Sequence, residues 1–301
     1  MYPMRAIHVS ALVLGGGLLF GCSRPDAAPT PAPKAALATE RVTLIKSAEA
    51  PFINELEDDE SASEVERTGT VLLIMKELPP MKWKARMGTV MTEREGPMAE
   101  VRMAPGDGTL YGFHSDFGEQ VDIPTNDAIC AQIAANPSMP AAVKQSRCKP
   151  MLRRYRLPSG TVVGYDPCAA GPCAVAVVRN GVVSSIAVDG VTSARLVAGP
   201  GDGALLLMSR WIRADGAWSG SRLVPVALGD GPIVAGAEIP LDEVDARDPK
   251  TASSRAVRVD ITTSAGGTVV HLVGDHTVKS RDDGRELSNK VVDETHLLAT
   301  K

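Results

Sequence analysis

A chain of 301 residues with 44% hydrophobic residues carries enough apolar material for one large domain or two small ones. Its formal net charge of −4 leaves no surplus of cations to draw it to nucleic acid. Neither quantity favours an enzyme over a binding protein.

Met1-Tyr2-Pro3-Met4-Arg5 gives the N-terminus a positive start, and from Val9 to Phe20 only Ser10 is polar. Roughly a dozen apolar residues cannot cross a ~30 Å hydrocarbon core as a helix, so the run reads as the core of an export signal. It ends in Leu19-Phe20-Gly21-Cys22, which resembles the lipobox of bacterial lipoproteins, with Phe20 bulkier than the usual occupant. The resemblance covers roughly the first two dozen residues. It implies loss of residues 1–21, a lipid on the Cys22 sulfur and membrane attachment through that lipid. Because Ser23 rather than an aspartate follows the cysteine, it also implies the outer membrane of the cell envelope wherever the host has two.

Beyond Cys22, Pro25-Asp26-Ala27-Ala28-Pro29-Thr30-Pro31-Ala32-Pro33 reads as an extended, solvated spacer, since proline favours polyproline II and nothing in the segment builds a core. The acidic run Glu55-Leu56-Glu57-Asp58-Asp59-Glu60, continued by Glu64 and Glu66, extends that spacer. A calcium loop would need a tight glycine turn, and no glycine interrupts the run. The organisation expected is a signal over 1–21, a lipidated spacer over 22–67 and one domain over 68–301.

Within that domain the dominant period is two. Met81-Lys82-Trp83-Lys84-Ala85-Arg86-Met87, Ala99-Glu100-Val101-Arg102-Met103 and Val257-Arg258-Val259-Asp260-Ile261 each place apolar residues on one strand face and charges on the other. Asn180-Gly181 between two valine-rich runs is a strong hairpin signal, because both central residues of a type I′ turn need positive φ. Asp189-Gly190, Asp215-Gly216, Asp230-Gly231 and Asp283-Gly284 punctuate the rest. The fold expected is mainly antiparallel β. Two Pro-Gly-Asp-Gly turns 95 residues apart, at Pro105 and Pro200, are faintly similar to a β-propeller repeat. A β-sandwich or irregular barrel is the rival architecture.

One segment breaks the strand pattern. Thr125 precedes the alanine-rich run Asn126–Ala135, Asn136-Pro137 ends it, and a second short helix is expected from Pro140. The helical insertion spans about 125–148, with Cys130 in its first helix and Cys148 just beyond the second, while Cys168 and Cys173 flank a loop bent by Gly171-Pro172. In an oxidising compartment these four thiols are expected to form two local disulfides, Cys130 with Cys148 and Cys168 with Cys173. The two-residue spacing of a redox dithiol is absent, and no histidine lies near enough in sequence to suggest zinc.

Candidate chemistry is sparse. There is no Gly-x-Ser-x-Gly elbow and no phosphate-binding glycine loop, and no cofactor is expected. Two runs interleave cations with aromatics. Lys82, Trp83, Lys84 and Arg86 form one; Arg153, Arg154, Tyr155 and Arg156, beside Lys149, form the other. Either would suit an acidic protein, an anionic glycan or a lipid headgroup, and either would equally serve as the solvated face of a strand. The reading favoured is an envelope binding or scaffolding module with a protein or glycan partner. Its rival is a hydrolase assembled from His114, Asp116, His271 and Asp275, which a single pocket joining those residues would support. For the anchor, Cys22→Ser is expected to abolish incorporation of a labelled fatty acid, since the acylated atom is the thiol sulfur; undiminished label on the variant would exclude the lipoprotein reading.

Overall fold

A computed structural model describes residues 36–54, 64–87, 90–145, 148–168, 170–197, 202–212, 217–229, 231–264 and 267–298. Cys22, the proline-rich spacer, the acidic run 55–60 and the second Pro-Gly-Asp-Gly turn as far as Gly201 lie outside the described residues. Among the described residues no helix is long and apolar enough to cross a membrane.

Three antiparallel sheets carry the fold. The N-terminal part contributes β1 (Thr39–Ile45), β2 (Ala50–Phe52), β3 (Glu64–Glu66), β4 (Val71–Met87), β5 (Val90–Arg102), β6 (Leu110–Phe113) and, after a 3-10 turn at His114–Asp116, β7 (Phe117–Pro124). Five of these form a sheet in the order β6-β5-β4-β1-β7, and β2 pairs with β3. Three helices follow, α1 (Asn126–Ala135), α2 (Ala141–Lys144) and α3 (Cys148–Met151). The middle sheet is built from β8 (Arg153–Arg156), β9 (Val162–Tyr165), β10 (Pro172–Arg179) and β11 (Val182–Asp189), paired in sequence. The rest is one seven-stranded meander: β12 (Val191–Val197), β13 (Ala204–Ile212), β14 (Trp218–Ala227), β15 (Ile239–Asp245), β16 (Thr251–Ser264), β17 (Gly267–Ser280) and β18 (Glu286–Leu298). The layers are a sandwich joined to a half-barrel; the radial blades of a propeller are not formed.

The middle sheet is apolar on both faces. From Cys173 to Val178 every residue of β10 is buried. Ala174, Ala176 and Val178 join a core with Val42 and Leu44 of β1, Ile123 of β7 and Ile129, Ile133 and Val143 of the helices. Val175 and Val177 face the other way, into a core with Leu205 and Leu207 of β13 and Val224 and Val226 of β14. A strand covered on both sides has no polar face to show, which is why its sequence does not alternate. The seven-stranded sheet then curves around its own concave core of Leu206, Leu223, Leu241, Val270 and Leu272.

Local chemistry explains the joints. Thr125 caps α1 by accepting a bond from the Ala128 amide at 3.1 Å, and Asn136 ends the helix. The expected Cys130–Cys148 disulfide ties α1 to the start of α3, a helix the sequence did not suggest, and the expected Cys168–Cys173 closes the loop before β10. Asn180 and Gly181, at φ 48° and 73°, make the β10–β11 turn.

The domain starts earlier than expected. β1 lies inside the segment assigned to the spacer, pairing with β7 from Thr39 to Ile45 and burying Val42, Leu44 and Ile45. Its short apolar alternation is flanked by proline, alanine and charge, so composition alone masks it. Glu64 and Glu66 are likewise not spacer: they belong to β3, and Glu66 is buried and accepts a bond from Thr70.

Gly190 carries the chain from the middle sheet into the half-barrel. Its φ is +63°, its amide donates to Gly171 O at 2.8 Å, and an added Cβ would lie 2.0 Å from the Arg210 carbonyl oxygen. Gly190→Ala is expected to cost about 2 kcal/mol from left-handed backbone strain, with a further cost from the clash. At Gly160, φ +88°, a Cβ meets nothing within 4 Å, so Gly160→Ala should show the conformational part alone. Thermal unfolding of both variants measures the difference; equal midpoints would show that the Arg210 contact relaxes without cost.

Candidate functional site

Where the three sheets meet, the described residues enclose a cleft of about 670 Å³. Its walls are the end of β1 (Leu44, Ile45, Lys46), the Arg67-Thr68-Gly69 turn, Gly118 and Glu119 of β7, Arg156 with the β8–β9 turn, and Leu196 and Val197 of β12 with Asp202. Main-chain bonds build this junction. The Gly69 amide donates to Ile45 O and the Arg156 amide to Gly69 O, each at 2.8 Å, so one glycine links the first sheet to the second. Gly69 has φ +89°, and a Cβ there would sit 2.6 Å from the Arg156 carbonyl oxygen. On the far wall, Asp202 accepts a 2.6 Å bond from Thr161 Oγ1 and lies 3.5 Å from Arg179, joining the β8–β9 turn to the half-barrel.

A smaller cavity of about 250 Å³ shares Arg67, Thr68 and Leu196 with the cleft. Tyr155 and Tyr165 line it as a stacked pair, ring centroids 6.0 Å apart, and Tyr155 donates to Ala194 O at 3.2 Å. Burial pushes the Tyr155 phenol well above its ordinary value, with Tyr165 and Glu66 adding to the shift, so it stays a neutral donor. Arg153 in the same cavity is held by Asp107 at 2.8 Å.

The two cavities together carry an uneven charge distribution. Arg67 lies 3.6 Å from Glu49 and Arg156 lies 3.8 Å from Glu119. Lys46 and Arg195 make no ion pair with any described residue. Desolvation and the adjacent Arg67 guanidinium lower the Arg195 pKa, partly opposed by Glu49. Two guanidinium groups share one carboxylate here, and the lysine ammonium has none.

The second cation–aromatic run therefore divides between two surroundings, and not by strand parity, since Arg156 at the strand end reaches the cleft while Arg154 does not. Arg153, Tyr155 and Arg156 line the cavities, whereas Arg154 does not belong to that surface: it is 1% exposed. Its Nη1 donates to Glu40 Oε1 at 2.7 Å and to Pro124 O at 2.8 Å, pinning β8 to β1 and to the end of β7. The first run lies elsewhere, on the β4–β5 hairpin. Lys82 and Lys84 are neutralised across the strands by Glu95 at 3.1 Å and Glu93 at 4.0 Å, and Trp83 is buried against Phe113. The side chains of Arg86 and Lys149 lie outside the described residues. Sequence reasoning missed Lys46, Arg67 and Arg195, which come from three separate segments and share no motif.

The four residues nominated for hydrolysis are not brought together. His114 contacts Glu77, and Asp116 accepts bonds from Ser47 and Arg94, beside the N-terminal sheet. His271 and Asp275 lie on β17 of the half-barrel, with His271 2.8 Å from Asp293. None of the four lines the cleft. Among the described residues no group of three or more His, Cys, Asp or Glu side chains is arranged to hold a metal ion. Comparison with protein-family models, curated proteins and solved structures gave no match, so the cleft is read from its own geometry.

Arg154 provides a test of how the sheets are held. Burial lowers its pKa, and Glu40 opposes that shift, so the carboxylate offsets part of the cost of an interior charge. Glu40→Gln is expected to destabilise by about 2 kcal/mol, below the ~3–5 kcal/mol of a fully buried pair because Glu40 is about a third exposed. Arg154→Leu removes charge and desolvation together and should cost less. Denaturant titration of the two variants decides the order, and a larger loss in Arg154→Leu would assign the contribution to the bond with Pro124 instead.

Proposed function

We propose that this chain is a lipid-anchored binding module of the bacterial cell envelope, and that the cleft between its three sheets takes an anionic ligand. The lipobox supports the anchor. The observation that carries the binding reading is the presence of Lys46 and Arg195, unpaired, on the walls of adjoining cavities that also hold Arg67 and Arg156. Clefts at the junction of structural layers, with a few convergent polar groups on an apolar lining, are the usual places for ligands. Cations held close to one another without matching carboxylates repel, and an incoming anion relieves that repulsion.

The hydrolase reading has no such support, since two of its nominated residues lie in the 3-10 turn before β7 and the other two on β17 of the half-barrel. A carboxylated or sulfated glycan of the envelope fits the cleft best, because sugar rings present apolar faces to Leu44, Leu157 and Leu196 while their acidic groups reach the cations.

The test uses the full chain carrying Cys22→Ser, to avoid lipid-driven aggregation, with retention on an immobilised sulfated glycan as the probe. Lys46→Ala and Arg195→Ala are each expected to weaken retention about fivefold, corresponding to ~1 kcal/mol per contact, with a reduced salt dependence. Lys82→Ala with Lys84→Ala should leave it unchanged. Equal retention of the Lys46→Ala/Arg195→Ala double variant and the parent would overturn the assignment of the cleft.

A further inference from the structure

The seven-stranded sheet ends in β18, whose outer edge pairs with no strand among the described residues. This edge contains no proline and runs regularly from Ser288 to Leu298, with a bulge before it at Glu286–Ser288, and it carries the charges Lys290, Asp293 and Glu294. Pairing with β17 fixes which way each residue faces: Val292 lies opposite Gly274, Glu294 opposite Leu272 and His296 opposite Val270, so even-numbered residues share the concave face with the half-barrel core. Beyond the bulge at Glu286–Ser288, odd-numbered residues lie on the convex face, and there Val291 and Leu297 are 71 and 64% exposed.

We propose that two copies of the chain associate through this edge, each β18 pairing antiparallel with the β18 of the other about a two-fold axis at Val292. With Val292 on the axis, Lys290 lies opposite Glu294 of the second copy and Val292 opposite its Val292, within the stretch Ser288–Leu298 that pairs regularly with β17. Asn289 then meets Thr295 and Val291 meets Asp293. Opposite charges and apolar residues placed directly across a ladder each stabilise it, and the two-fold axis makes every such pair occur twice.

The partners are ready for this role. Lys290 makes no ion pair with any described residue of its own chain. Glu294 already accepts bonds from Arg255 at 3.2 and 2.9 Å, and Arg255 holds its carboxyl below the ordinary value, so it is charged before the second copy arrives.

Both faces of the sheet must also match, which restricts the register to steps that keep odd residues opposite odd. Moving the axis to Val291 sets Lys290 against Val292; moving it to Asp293 sets Lys290 against His296 and Leu297 against Asn289. Of these registers only that at Val292 sets Lys290 against a carboxylate. The product is a continuous fourteen-stranded sheet.

Sedimentation of the Cys22→Ser chain at micromolar concentration is expected to give twice the monomer mass. Lys290→Glu, on an exposed edge outside the core, should raise the dimer dissociation constant about tenfold or more by setting like charges opposite each other. Val292→Cys should cross-link to its symmetry mate under mild oxidation, because the two Cα atoms would lie within disulfide range, whereas Asn289→Cys should not. A monomer at these concentrations would overturn the proposal. So would a dimer in which Val292→Cys fails to cross-link, or one in which Asn289→Cys cross-links equally well. None of these readouts depends on what occupies the cleft.

Discussion

Burial of β10 on both faces is the constraint from which the rest of the architecture follows. A strand with Ala174 and Ala176 pointing one way and Val175 and Val177 the other cannot lie on any surface. Each fully buried valine contributes roughly 1.5–3 kcal/mol relative to exposure, so a sheet lacking either cover would leave much of that unrealised. The helices and β1 supply one cover and the first strands of the half-barrel the other. The small alanines on the helical side allow close approach; the branched valines fill the wider space toward β13 and β14. The disulfide-tied helices are thus a lid on the core, which accounts for a helical insertion in an otherwise β protein.

Three sheets stacked and turned against one another cannot close perfectly at their common corner, and the cleft is that corner. Its polar lining follows from what each sheet end must do. Gly69 and the β8–β9 turn satisfy main-chain groups, Asp202 ties down a turn, and the long cationic side chains extend from strand ends where there is no core left to cover them. Arg154, between the cavity-lining Arg153 and Tyr155, shows the opposite outcome, and a single step along β8 converts a cavity wall into an interior pin; Arg156, on the same face as Arg154, reaches the cleft because it stands at the strand end.

Much of the fold was legible because its signals are local. Twofold alternation found β4, β5 and β16, Asn180-Gly181 marked a hairpin, the Thr125 cap located α1, and loop geometry set both disulfides. The places where reading failed are those where a distant element decides. β1 has a short alternation that acquires meaning only beside β7 and β4. The run Arg153–Arg156 looks uniformly exposed until Glu40, more than a hundred residues away, draws Arg154 inward. The cleft was least legible of all: Lys46, Arg67, Arg156 and Arg195 converge only through tertiary packing, and chain spacing holds no trace of it.

That the first strand begins at Thr39 also sets a leash. In a chain acylated at Cys22, sixteen residues lie between the lipid-bearing cysteine and the sheet, and even fully stretched the seventeen steps from Cys22 to Thr39 span no more than about 60 Å. The folded domain then samples a thin layer next to the bilayer instead of the full depth of the surrounding compartment. Whatever reaches its surfaces must itself be resident in that layer, and confinement there raises the effective concentration of both parties without any additional contact.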